Sequence, residues 1–152
     1  MSQAPRKKIR IGDLLVENRI ISENQLMTAL AEQKKSGHKL GRALIELGFV
    51  TEDQMLDFLS RQLQIPYINL KHYKYNSEIV KKIPETLSRR YRSIALAEQP
   101  DSFLVGMADP TDIFAFDELS KSFDKPIRLA VLRESDLLRT IDTVFRKTDE
   151  IS

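Results

Sequence analysis

The sequence predicts an α+β chain: a helical tandem-repeat subdomain of four helices over residues 1–65, packed on a small α/β subdomain over 66–152 with a short, mainly antiparallel sheet. Three observations carry that expectation. Residues 10–33 and 39–62 are one 24-residue pattern written twice, with the five residues 34–38 between the copies. Each copy combines helical apolar spacing with the polar residues that start helices. After Ile65-Pro66 the pattern changes to short apolar runs separated by turn residues.

In register, Gly12/Gly41, Leu15/Leu44, Glu17/Glu46, Glu23/Glu52, Gln25/Gln54, Leu30/Leu59 and Gln33/Gln62 are identical. Arg10/Lys39, Ile11/Leu40, Val16/Ile45, Ser22/Thr51 and Leu26/Met55 keep their chemistry. The first copy begins with a short helix, Gly12 to Glu17, which Asn18-Arg19 interrupts. Ser22-Glu23-Asn24-Gln25 is a capping box that starts a longer helix. Leu26, Ala29, Leu30 and Gln33 fall on one face of it, and Gly37 is placed to end it. The second copy repeats this order: a helix from Leu40 to Glu46, Gly48 as stop, the box Thr51-Glu52-Asp53-Gln54, then Met55, Phe58, Leu59 and Gln62 on one face. Two units are too few for a solenoid. They can form a pseudo-symmetric surface suited to a two-fold symmetric ligand.

In the second subdomain, Tyr67 to Leu70 alternates like a short strand. Ser77 to Ile83 and Glu85 to Tyr91 read as helices divided by Pro84. Ser93 to Ala97 and Phe103 to Met107 read as strands around the turn Gln99-Pro100-Asp101-Ser102. Asp109-Pro110-Thr111-Asp112 starts a helix that runs to Phe123, and Ile127 to Leu132 is a further strand. Leu137, Leu138, Ile141, Val144 and Phe145 mark a terminal amphipathic helix.

Composition narrows the function classes. The net charge of +2 is too small for duplex DNA as the main partner, and no basic recognition helix is present. Basic residues cluster instead at Arg6, Lys7, Lys8 and Arg10, and at Lys34, Lys35, Lys39 and Arg42, near the repeat openings. The absence of cysteine removes disulfides, thiolate metal sites and Cys nucleophiles. No apolar run reaches the ~20 residues of a membrane span, and the basic N-terminal stretch lacks the apolar run of a signal peptide. A cytoplasmic protein is expected. A phosphate loop with its Lys-Ser/Thr is missing, and His38 and His72 stand alone. Neither a catalytic residue, a metal site nor a catalytic cofactor is expected.

Arg10-Ile11-Gly12 and Lys39-Leu40-Gly41 each place a cation, an aliphatic group and a bare backbone at the mouth of a helix. Such a mouth offers N–H donors and partial positive charge to phosphate. Leu26 and Leu30, with Met55 and Leu59, can floor two flat bases, and Gln33 and Gln62 add an amide to each. The plainer alternative stays open: the glycines are packing residues, the aliphatics are core, and each glutamine caps its helix.

The doubled pattern resembles the N-terminal domain of the type II secretion and type IV pilus assembly ATPases, in the MshE-like form of mannose-sensitive haemagglutinin pilus biogenesis. The resemblance rests on Arg10-Ile11-Gly12 with Ile21, Leu26 and Gln33, and on Lys39-Leu40-Gly41 with Gly48, Val50, Met55 and Gln62. It extends through Ile65 to Leu70, Arg89-Arg90-Tyr91 and Met107 to Asp112, about residues 8–147 in all. Ile11 and Lys39 replace the Leu and Arg of the family pattern. Arg19 stands where that pattern has Gly, which leaves either a different turn or strain passed to Asn18.

The resemblance implies a regulatory domain without catalytic activity whose ligand is cyclic di-GMP, each repeat holding half of it. It implies that Arg10 engages a guanine and that Asp109 accepts from guanine N1–H and N2–H. Lys8 and Arg42 are further contacts to phosphate or base. In a complete protein it implies a C-terminal ATPase motor and an inner-membrane platform protein as partners. A docking module for such a platform protein, without nucleotide binding, is the alternative.

Overall fold

The computed structural model describes residues 11–151, with side chains as far as Arg146. The described chain divides into two compact units, the first ending at Met55 and the second beginning at Leu56. That division falls inside a helix, ahead of the change in patterning at Ile65-Pro66.

The repeats form α1 (Ile11–Glu17), α2 (Glu23–Ser36), α3 (Leu40–Glu46) and α4 (Glu52–Leu63). Both capping boxes are built. Ser22 Oγ accepts from Gln25 N–H at 3.1 Å and Gln25 Oε1 accepts from Ser22 N–H at 2.9 Å. Thr51 Oγ1 and Gln54 Oε1 repeat the exchange at 3.0 and 2.8 Å. Each box satisfies two donors that the first turn of a helix leaves without an internal partner.

The turns after α1 and α3 also match bond for bond. Ile20 N–H donates to Leu15 O at 2.9 Å and Arg19 N–H to Val16 O at 3.0 Å. In the second copy Phe49 donates to Leu44 O and Gly48 to Ile45 O, both at 3.0 Å. This pair of bonds is the Schellman motif, and it requires a left-handed residue just past the helix. Gly48 fills that position at φ +80°, and Arg19 fills it at φ +61°. The two outcomes expected for Arg19 are thus both corrected: the turn is the same, and Arg19 itself takes the left-handed conformation. Two carbonyls closed by hydrogen bonds offset its steric penalty. Gly37, at φ +78°, ends α2 by donating to Gln33 O at 2.9 Å.

The second unit continues α4 into α5 (Ser77–Val80), α6 (Glu85–Tyr91), β1 (Ser93–Gln99), β2 (Ser102–Met107), α7 (Ile113–Ser120), β3 (Ile127–Val131) and α8 (Glu134–Ile151). The sheet has the order β1-β2-β3. The hairpin β1–β2 is antiparallel, and β3 joins β2 in parallel, so the sheet is mixed. The helix α7 in the crossover from β2 to β3 makes the parallel pairing possible.

Both sheet faces are covered. On one, Ile94, Leu96, Ala130 and Leu132 pack with Val80 and with Leu137, Ile141 and Val144 of α8. On the other, Ala95, Phe103, Val105 and Met107 pack with Ile83 and with Ala115 and Leu119 of α7. Burial on both faces explains why the strands read as apolar runs.

Several elements are shorter than their sequence patterns. Tyr67 to Leu70 makes a single parallel bridge, Tyr67 to Val131, because Asn69 then closes a turn with Lys71 and His72. α5 stops at Val80 ahead of Ile83-Pro84, since the residue before proline disfavours helix. α7 starts at Ile113 because Asp112 is its N-cap, accepting from Ala115 N–H at 3.0 Å.

Candidate functional site

The residues read from the sequence as a binding surface divide by what surrounds them. Lys8 and Arg10 lie outside the described residues. Ile11 is half-buried at the start of α1, and Gly12 is fully packed. A Cβ placed on Gly12 would sit 2.6 Å from Leu26 Cδ1 and 3.2 Å from Leu40 Cδ2. Gly12 is therefore a packing glycine: its missing side chain lets α1 settle against Leu26, with Leu40 of the second repeat closing the same gap. That contact supports the packing role that the sequence leaves open for this glycine.

Gly41 differs. A Cβ there would meet only Met55, at 3.7 Å, which is ordinary contact. Gly41 and Leu40 are half-buried, while Lys39 and Arg42 are exposed. Lys39 is the N-cap of α3 and makes no capping bond with its side chain. Nearby, His38 Nδ1 lies 3.2 Å from Glu46 Oε1. Among the described residues no three His, Asp or Glu side chains are grouped to hold a metal ion.

The apolar floors are unequal. Leu26 is half-buried and Leu30 is 41% exposed, so α2 presents apolar surface. Met55 and Leu59, their counterparts, are 4% and 5% exposed and belong to the core. The apolar pair is therefore buried in the second repeat and partly open in the first. Gln33 is half-buried and Gln62 exposed. Sequence spacing also passed over Met27, 68% exposed on α2. The signal was available, since Met27 falls off the Leu26–Ala29–Leu30 stripe and a long apolar side chain there has no core to enter.

Asp109 belongs to the second unit. Its Oδ1 accepts from Thr111 N–H at 3.1 Å and from Thr111 Oγ1 at 2.5 Å. This carboxylate shapes the approach to α7, and further acceptance would use its remaining lone pairs. Arg89, in the Arg89-Arg90-Tyr91 signature, is structural: it donates to Glu85 at 3.0 Å and to Asp142 at 2.6 Å. The hydrogen bond to Asp142, then that to Glu85, raises the guanidinium pKa, and the same Arg89 bond holds Asp142 below the usual carboxylate range.

Comparison with known proteins adds relatives to this geometry. The family model of the MshEN domain matches residues 63–151. The type IV pilus assembly ATPase PilB of Myxococcus xanthus (strain DK1622) is 34% identical over 136 residues, which is 90% of this chain and 24% of PilB. Bacteriophage adsorption protein B of Escherichia coli (strain K12) is 23% identical over 128 residues, 84% of this chain and 17% of that protein. The chain spans a quarter or less of the length of these curated relatives. Among solved structures, MshE with cdg (cyclic di-GMP) superposes with a TM-score of 0.80 at 38% identity, covering 91% of this chain and 99% of that one. The N-terminal domain of XpsE superposes with a TM-score of 0.75 at 23% identity, over 93% of this chain and 97% of that one, a likeness of fold alone.

Proposed function

We propose that this chain, which belongs to the MshEN domain family, is a cyclic di-GMP-binding regulatory domain of a secretion or pilus-assembly ATPase. The likeness to MshE with cdg carries the reading: 38% identity over 91% of this chain takes in most of both repeats. The matched capping boxes and Schellman turns support two half-sites, residues 10–33 and 39–62, on related backbones. In this reading Arg10 engages a guanine, at its O6/N7 edge or by stacking. Leu26, Leu30 and Gln33 line the first half-site. Lys39, Arg42 and Gln62 supply the polar groups of the second, with Met55 and Leu59 as backing. Lys39 keeps the charge of Arg without its planar fork, so the second half-site holds phosphate better than a base edge. In a longer protein the regulated part would be an ATPase motor.

Isothermal titration of cyclic di-GMP, with GTP and linear pGpG as controls, tests the proposal. One-to-one binding specific to the cyclic compound is expected, with loss in Arg10→Ala and Gln33→Ala while circular dichroism is unchanged. Retained affinity in both variants would remove those residues from the site. The same titration on Asp109→Asn tests the acceptor role carried to Asp109.

One observation favours a second reading, a docking module for a platform protein without nucleotide binding. The family match begins at residue 63, one residue after the second repeat ends. Membership alone therefore does not require the repeats to hold a ligand. A pull-down with the cytoplasmic segment of a platform protein separates the readings: capture that ignores cyclic di-GMP, from a chain that gives no titration heat, would establish docking.

A further inference from the structure

β3 is an edge strand, and its outer side is only partly covered. Phe103 N–H donates to Pro126 O at 2.9 Å and Leu132 N–H donates to Met107 O at 3.0 Å. Alternation along a parallel ladder therefore turns the backbone groups of residues 126, 128, 130 and 132 toward β2. Those of Ile127, Leu129 and Val131 point outward. Val131 is satisfied: it donates to Pro66 O at 2.8 Å and accepts from Ile68 N–H at 3.1 Å. Continued backward in register from the Tyr67–Val131 bridge, the same segment would set Ile65 beside Leu129 and Leu63 beside Ile127.

It does not continue. Gln64 adopts φ +57°, and Ile65 N–H bonds back to Ser60 O at 3.1 Å, closing the end of α4. A left-handed glutamine thus peels the chain off the edge one residue before it would cover Leu129. A cleft of about 560 Å³ opens at that place, lined by Gln64, Ile65, Pro66, Leu104, Arg128 and Leu129. Gln99 completes the lining, so its polar groups are the Gln64 and Gln99 amides and Arg128. The Arg128 side chain is exposed and has no ion pair or hydrogen bond among the described residues.

We infer that the open edge of β3 is a docking strip for an extended segment of a partner polypeptide that carries an acidic side chain flanked by apolar ones. The backbone of that segment would pair with the outward N–H and C=O groups of Ile127 and Leu129, as an added strand does at an uncovered edge. A carboxylate would meet Arg128, the one charged residue of the lining, and an apolar side chain would lie against Leu104 or Leu129. The small size of the strip suits a segment of few residues and weak, exchangeable binding. None of the lining residues belongs to residues 10–33 or 39–62, so the inference does not rest on nucleotide binding.

The test uses the whole chain, isotopically labelled, and the synthetic peptide acetyl-Thr-Val-Asp-Val-Thr-amide. Amide exchange at Ile127 and Leu129 is expected to slow about tenfold at saturation, the equivalent of about 1.4 kcal/mol of added protection. A peptide with Lys in place of Asp should bind more weakly, and Arg128→Glu should reverse that preference. Arg128 is exposed, so this variant keeps the fold. A peptide N-methylated on alternate amides controls for side-chain contact alone. Unchanged exchange at Ile127 and Leu129 with millimolar peptide, or a preference that Arg128→Glu leaves intact, overturns the inference.

Discussion

In the first repeat Gly12 faces Leu26 with no room for a Cβ, at 2.6 Å; in the second, Gly41 faces Met55 with room for one, at 3.7 Å. The left-handed turn residue is Arg19 in one copy and Gly48 in the other. Leu30 is 41% exposed where Leu59 is 5% exposed. Yet capping boxes and turns agree to within a few tenths of an ångström. The symmetry of this duplication is a symmetry of backbone. At Leu26/Met55 and Leu30/Leu59 the side chains have diverged, more open in the first copy and core in the second, whereas Leu15/Leu44 and Ile21/Val50 are buried in both. A two-fold ligand would then meet two unlike halves.

Paired substitutions at equivalent positions sharpen that contrast. The largest difference is expected between Leu59→Ala and Leu30→Ala. The first removes a core side chain and should lower unfolding stability by about 2–5 kcal/mol. The second should stay within about 0.5 kcal/mol. Urea midpoints of the two variants read this directly, and equal losses would break the distinction between core and surface copies.

Next come the glycines. Gly12→Ala should destabilise by about 1–2 kcal/mol, because both Leu26 methyls and Leu40 must give way. Gly41→Ala should be neutral or stabilise by up to about 1 kcal/mol, since Ala is the better helix former and meets only ordinary contact. Thermal melts of the two variants give the comparison. Both being neutral would show that Leu26 rotates away freely.

A smaller effect is expected at the turns. Gly48→Ala should cost about 1 kcal/mol and Arg19→Gly should gain up to about 1 kcal/mol, because only the residue with a Cβ resists left-handed backbone. A destabilised Arg19→Gly would mean that the arginine side chain makes a contribution beyond its turn.

The smallest expected effect lies outside the repeats and serves as their reference. Arg89 lowers the folded-state pKa of Asp142, so its contribution is present above the usual carboxylate range and lost as pH falls through the lowered value. Both side chains are exposed to solvent, which keeps the effect small. The gap in urea midpoint between the native chain and Asp142→Asn should close on acidification, whereas the gaps at Leu59 and Gly12 should persist.

Local chemistry was legible from residues alone. Ser22 with Gln25, Thr51 with Gln54, Gly37 and Gly48 act within a single turn of chain, so their bonds follow from spacing. α3 and α6 have the bounds that their patterns predict, Leu40–Glu46 and Glu85–Tyr91. The hairpin was legible for the same reason, since Pro100 and Asp101 set its turn. Arg19 was misjudged because an arginine carries no sign of left-handed backbone; the two Schellman bonds that hold it depend on the turn as a whole.

What the sequence by itself determined is the order of helices and strands, the duplication, and the candidate residues Gly12, Gly41, Leu26, Leu30, Met55 and Leu59 in matched positions. Only the tertiary structure decided which of these are surface. Periodicity reports that a face is apolar but not what covers it, so Leu30 and Leu59 read alike and end up exposed and buried. The parallel pairing of β3 and the departure of the chain from its edge at Gln64 were likewise decided by long-range contact. Strand direction and edge coverage depend on partners distant in sequence, and no local pattern encodes them.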